Sequence, residues 1–213
     1  MNILIVHAHE NPNSFCSALS NTAQSTLESQ GHHVELSDLY ADQFNPVGGS
    51  HDFTSLSDAA HYKYASEQLH ASKHQGFSEE LQVEMNKLLA ADVLNFNFPL
   101  WWFGFPAIMK GWVDRVMAYG VAYGGDYGFR EKGRFAGKRA FVTITTGSPA
   151  SAYQTTGANK RTMDQILQNA HEGIFGLVGY KVLDPFIAYG VSWIDAEARD
   201  TILKDYTTYL KQL

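Results

Sequence analysis

The chain is short of the residues that announce most functions. Among 213 residues there is one cysteine, Cys16. That rules out an internal disulfide and any multi-cysteine zinc site. No run approaches the ~20 consecutive apolar residues that a membrane span needs. The opening MNILIVHAH has no basic region ahead of its short apolar stretch, so it does not read as a signal peptide. Positive charge is scarce: 16 Lys and Arg against 22 Asp and Glu give a formal net charge of -6. Nucleic acid and stable membrane insertion are therefore not expected. The single basic cluster, Arg130, Lys132, Arg134, Lys138 and Arg139, reads as a solvated loop flank. GxGxxG, GxxxxGK(S/T) and GxSxG do not occur, which argues against the dinucleotide fingerprint, a triphosphate loop and a serine-hydrolase elbow. Nine histidines invite a metal reading, but His7 with His9 and His70 with His74 lack the carboxylates or thiols that would complete a site. A reduced, soluble protein of the cytoplasm is the expectation.

Hydrophobic residues make up 45% and charged residues 18%, the balance of a globular chain with a full core. No repeat, linker or low-complexity tract divides it, so one domain over 1–213 is expected. Short apolar runs alternate with helical patterns, the mark of βαβ units and a parallel sheet. The first strand is Ile3 to His7, followed by a helix from about Ser14 to Ser29, with Phe15, Leu19, Ala23 and Leu27 at four-residue spacing. HHVELSDL is the second strand, 78–91 a helix, DVLNFNF the third strand, and another helix begins near Pro106. RAFVTITT and KVLDPFIAY are the fourth and fifth strands, with a helix from about Thr162 to Leu177 between them and a last helix from Asp195. The polar stretch from Tyr40 to Gly76 takes no clear pattern. Five parallel strands with interleaved helices predict an α/β three-layer sandwich of flavodoxin-like order 2-1-3-4-5.

In such a fold, ligands bind beyond the carboxyl ends of the strands, so AHENPNSF, PLWWFGFPA and TTGSPASAY should converge. The first loop ends at a helix N-terminus, which favours an anion. The second offers backbone donors at Trp101, Trp102 and Phe103 with wide apolar faces; core packing or a subunit contact is the competing reading of that cluster. The third has Gly147 for close approach, with hydroxyls around it. A flat, aromatic, phosphate-bearing ligand would satisfy all three, and flavin fits that description best among common cofactors.

From LIVHAHENPNSF through SDLYADQFNP, FPLWWFGFPAIMKGWVDRV and ITTG to AEARDTIL, the chain resembles the diaphorase-type NAD(P)H:quinone oxidoreductases. The resemblance implies a homodimeric flavoprotein that takes a hydride from NADH or NADPH and passes two electrons to a quinone by a ping-pong mechanism. By the same resemblance, His9, Ser14, Phe15 and Cys16 hold the pyrophosphate region, and Pro99, Leu100, Trp101, Trp102 and Phe103 line the isoalloxazine ring. Thr145, Thr146, Gly147, Ser148 and Tyr153 follow its polar edge, and Tyr153, Gly147 and Asn159 occupy the catalytic positions. Val191, Arg199 and Leu203 match the adenosine contacts of FAD-using members, which favours FAD over the FMN of shorter relatives. Trp102 and Phe103 meet the acceptor, with Tyr123, Tyr127 and Leu177 contributed by the second subunit.

One departure concerns chemistry. Studied members carry a histidine six residues after the tyrosine, where this chain has Asn159, which cannot take up a proton near neutral pH. Ser148 and Pro149 also replace a more glycine-rich loop. Related readings are an azo- or nitro-compound reductase, an ancillary flavoprotein that regulates a potassium-efflux transporter, and a flavodoxin-type electron carrier.

Overall fold

Strand β1 (Asn2–His7) buries Leu4 and Val6 on one face and Ile3 and Ile5 on the other, as a strand covered on both sides must. The computed structural model describes residues 1–213. Helix α1 (Phe15–Ser29) is capped by the Ser14 hydroxyl, which accepts the Ser17 N–H, and its apolar stripe packs on Ile3 and Ile5. Strand β2 (His33–Asp38) pairs with one edge of β1, and β3 (Val93–Pro99) pairs in parallel with the other. Strand β4 (Arg139–Thr145) pairs in parallel with β3 along its full length, from Val93↔Arg139 to Pro99↔Thr145.

The sheet order is β2-β1-β3-β4-β5, as the alternation of elements predicts. The fifth strand comes in two pieces, β5 (Lys181–Val182) and β6 (Phe186–Ala188), both parallel to β4. Between Ala140↔Val182 and Thr143↔Phe186 the register slips by one residue, at Leu183–Pro185. Pro185 has no N–H to donate to the ladder, which places the break there.

Helices α2 (Tyr64–His74), α3 (Glu79–Ala90) and α4 (Ala107–Val116) follow in order. Helix α5 (Met163–Gln168) continues directly into a π-helical stretch, Asn169–Gly176, so the expected single α-helix is wider-wound over its second half. Helix α6 (Ala196–Leu210) is capped by Asp195 and lies beside α1 over Ile3, Ile5 and Phe141. Where β3 and β4 face α1 and α6, the inward residues turn polar. Asn95 donates to Tyr206 Oη at 3.3 Å and accepts from Thr143 Oγ1 at 3.1 Å.

The stretch before α2 is a strap drawn across α4. Gly111 permits the crossing, because a Cβ there would lie 2.2 Å from the Pro46 carbonyl oxygen. Arg115, fully buried on the same helix, donates to Asp52 Oδ1 through Nε at 3.0 Å and Nη2 at 2.6 Å, and its Nη1 donates to the Asn45 carbonyl. Asp52 also accepts the Tyr64 hydroxyl, which ties the start of α2 to the same point. Asp52→Ala would leave the guanidinium buried without its main counter-charge. The expected loss is about 3–5 kcal/mol of unfolding free energy by denaturant titration, whereas Glu80→Ala, at the half-exposed Glu80 partner, should cost far less.

Candidate active site

Four loops meet at the carboxyl edge of the sheet, three of them the expected ones. Loop one, after β1, holds itself in shape. Asn11 N–H donates to His9 Nδ1 at 3.0 Å, Asn13 N–H to Asn11 Oδ1, and Ser14 N–H to the Asn11 carbonyl. With Nδ1 accepting, His9 presents Nε2 as its donor. The N–H groups of Phe15 and Cys16, the first two residues of α1, find no acceptor in the chain. The Ser14 hydroxyl is already engaged as the cap, so these backbone donors and the helix dipole are what loop one offers an anion.

Cys16 contributes no side chain to that surface. Its thiol is buried and donates to Asn97 Oδ1 at 3.0 Å, and burial pushes its pKa up to about 12. Thr145 and Thr146 are likewise buried. Thr146 Oγ1 donates to the Ser148 carbonyl and accepts the Gly190 N–H, so it fastens loop three to the segment after β6.

Loop two is a two-residue hairpin. Trp101 and Gly104 exchange both backbone hydrogen bonds across Trp102 and Phe103, whose φ angles are 50° and 60°. That is the type I′ conformation, ordinarily filled by Asn-Gly, and each bulky residue held there costs about 1–3 kcal/mol. The Trp101 N–H is used by the hairpin, while those of Trp102 and Phe103 are free. Trp102 is 98% exposed. The Phe103 ring instead turns toward α5, where with Leu100, Phe105 and Ile166 it lines an apolar cavity of about 220 Å³.

The loops are joined in a closed circuit. His9 lies 6.3 Å from the Trp101 ring, and the Leu100 N–H bonds the Thr145 carbonyl. Tyr153 packs on Tyr189 at 5.6 Å, and the Val191 N–H bonds the Thr146 carbonyl. Arg199 returns the circuit to loop one: Nη2 donates to the Val191 carbonyl at 3.0 Å and the guanidinium stands 6.0 Å from the Phe15 ring. Its Nε is buried without a partner, and Leu203 packs in the same cluster as Phe15 and Val191. A Cβ at Gly147 would have no atom within 4 Å, so that backbone faces open space. Neither the Tyr153 hydroxyl nor the Asn159 side chain bonds to the protein, although the Asn159 N–H bonds the Ala152 carbonyl at 3.0 Å. Tyr189 and Trp193 belong to the same rim, the latter 83% exposed; the sequence pattern marks neither, because both follow a strand broken at Pro185.

Tyr123, Tyr127 and Leu177 stand apart from this circuit within one chain. Tyr123 packs on Tyr119, Tyr127 lies under Arg134, and the Leu177 carbonyl accepts the Arg130 N–H.

Parallel order, a helix N-terminus with free donors at the first strand and a strained aromatic hairpin at the third make a flavodoxin-like arrangement, and the chain belongs to the flavodoxin-like fold family, which matches it over residues 1–213. Within that family it is similar to NAD(P)H dehydrogenase (quinone) 1 of Cavia porcellus, 36% identical over 99% of this chain and 76% of that one. It is equally similar to ribosyldihydronicotinamide dehydrogenase (quinone) of Pongo abelii, at 36% identity over 99% of this chain and 91% of that one. A Klebsiella pneumoniae crystal structure, provisionally called a quinone reductase, superposes with a TM-score of 0.94 at 34% identity, covering 99% of this chain and 84% of that one.

Two outcomes follow from the buried groups. Cys16 should resist thiol reagents at about pH 8 in the folded protein and react in full once denatured, as counted by a chromogenic disulfide assay. Burial also lowers the pKa of His7 and of His171 below the ordinary 6.5. The unfolded chain then binds more protons than the folded one as pH drops below 6.5. Stability should be flat above that pH and fall steadily toward about pH 5, seen as a declining melting temperature.

Proposed function

We propose that the protein is a cytoplasmic, flavin-dependent NAD(P)H:quinone oxidoreductase, with residues 1–213 as its flavin-binding domain. The observation that carries this reading is the closed circuit of loops, which offers free N–H groups at Phe15 and Cys16 on one side and at Trp102 and Phe103 on another. The donor set fits the cofactor: phosphate at the α1 N-terminus, a flat ring beside the hairpin, and its polar edge along Gly147. The unpartnered buried Arg199 Nε, beside Phe15 and Val191, supports an adenosine-bearing ligand and hence FAD over FMN.

When bound, a flavin accepts a hydride from a dihydronicotinamide and delivers two electrons to a quinone, the two reactants using one place in turn. The chain's residues bind, orient and supply protons. The Phe15 and Cys16 N–H groups with the helix dipole hold negative charge. The Tyr153 hydroxyl is free to donate a hydrogen bond to charge that develops at the ring's edge. Asn159 can donate a second one but not take up a proton, so proton delivery rests on Tyr153 and solvent. Trp102 and Phe103 give a flat acceptor its stacking surface. Tyr123, Tyr127 and Leu177 lie outside the circuit of their own chain, and Leu177 is 36% exposed, which supports a homodimer whose second copy closes each site.

Anaerobic absorption spectra test the reading. Flavin bands should bleach with NADH or NADPH and return on adding a quinone such as menadione, and the extracted cofactor should be FAD. Bound flavin that no dihydronicotinamide reduces would sink the enzyme reading, and protein that takes up no flavin would sink the site. Tyr153→Phe should lower the rate of reduction by roughly 10²-fold, with cofactor affinity little changed.

A further inference from the structure

The apolar face that β1 turns toward α1 runs through Ile3 and Ile5, and the next position on it is His7. This side chain, 2% exposed, lies under the first turn of α1 with Nε2 3.1 Å from Ser17 Oγ. Ser17 Oγ also lies 2.9 Å from the Asn11 carbonyl, which can accept its proton. Its other two neighbours are His7 Nε2 and, at 2.9 Å, the Ser14 hydroxyl. Ser14 Oγ in turn accepts the Ser17 N–H at 3.0 Å.

This chain of bonds leads from the sheet outward to the loop. The other ring nitrogen of His7, Nδ1, is buried and has no side-chain partner. Strand β3 places Asn97 at the same register, also turned toward α1, and Asn97 Nδ2 is a buried donor without a partner. A core position here calls for an aliphatic residue, yet the chain carries a buried histidine whose one bonded nitrogen serves the loop.

We propose that His7 is a positioning residue for the phosphate end of the site. Resting on the flavin reading above, the inference is that His7 orients Ser17, and through it the Ser14 cap and the Asn11 carbonyl. The Phe15 and Cys16 N–H groups are then held pointing at a phosphate ester. The hairpin and the Gly147 loop, which meet the ring, are not on this chain of bonds. A defect at His7 should therefore be read by the phosphate of a ligand and not by its ring.

FMN and riboflavin share the ring and differ in the phosphate, so their binding to full-length protein freed of cofactor separates the two. Affinities would be measured by quenching of flavin fluorescence for wild type, His7→Leu, His7→Gln and Ser17→Ala. His7→Leu and Ser17→Ala should weaken FMN about tenfold, equivalent to ~1.4 kcal/mol, with riboflavin unchanged within about twofold. His7→Gln, whose amide N–H reaches a similar place, should restore most of the FMN affinity. His7→Leu with wild-type FMN affinity overturns the inference, as does an equal loss for both ligands, which would mark a general loosening of the core. If His7→Leu does not fold, Ser17→Ala, which removes one oxygen, decides between the same outcomes. Wild-type protein that binds FAD but neither of these moves the test to FAD, whose affinity should fall about tenfold in His7→Leu and Ser17→Ala and recover in His7→Gln; protein that binds no flavin overturns the flavin reading itself, and the inference falls with it.

Discussion

Every strand in the sheet runs the same way, and the site depends on that constraint. Parallel pairing of β3 with β4 from Val93↔Arg139 to Pro99↔Thr145 brings two strands to an end at one level. The β1 end, with Ala8 N–H on the Asn97 carbonyl, lies just beside them. Loops that leave a common edge have nowhere else to meet. The edge also gathers the free backbone donors, at the α1 N-terminus and at the aromatic hairpin, so what it offers a ligand begins with main chain before any side chain acts.

Holding these loops falls to polar groups inside the molecule. Arg115 gathers Asp52, Asn45 and Glu80 and thereby pins the strap across α4, the helix that follows directly from the hairpin loop. Asn95, Thr143 and Tyr206 form a bonded layer between the sheet and α6. His7 and Ser17 continue that polar layer to the foot of loop one. Buried groups of this kind contribute little net stability over apolar packing, but each admits few geometries, which suits a scaffold that must present donors in fixed places.

Much of the architecture is legible in the sequence, because apolar runs of strand length and four-residue helical spacing are local signals. The strand order, helix α1 and the three converging loops follow from them, whereas the cap falls on Ser14 and not on Asn13, the residue its type suggests. Helix α2 does not follow from them, and its residues show why. Its buried side includes Glu67, bonded to Ser57 and Asp58, and Gln68, bonded to Asp114 and Tyr119, so no apolar stripe exists to be seen. The π-helical second half of the helix after Thr162 carries the same apolar composition as an α-helix and differs only in its backbone bonding.

Within the site the division is similar. The sequence by itself determined which residues stand at the carboxyl edge, since the chain order of strands and loops is a matter of local pattern. Only the tertiary structure decided what each of them exposes. It turned the Cys16 thiol inward onto Asn97 and the Trp102 ring out to solvent, spent Thr146 on joining two loops, and left Arg199 Nε without a partner. The reason is that a side chain's direction and its hydrogen-bond partners depend on atoms distant in the chain, as with Cys16 and Asn97 or Val191 and Thr146.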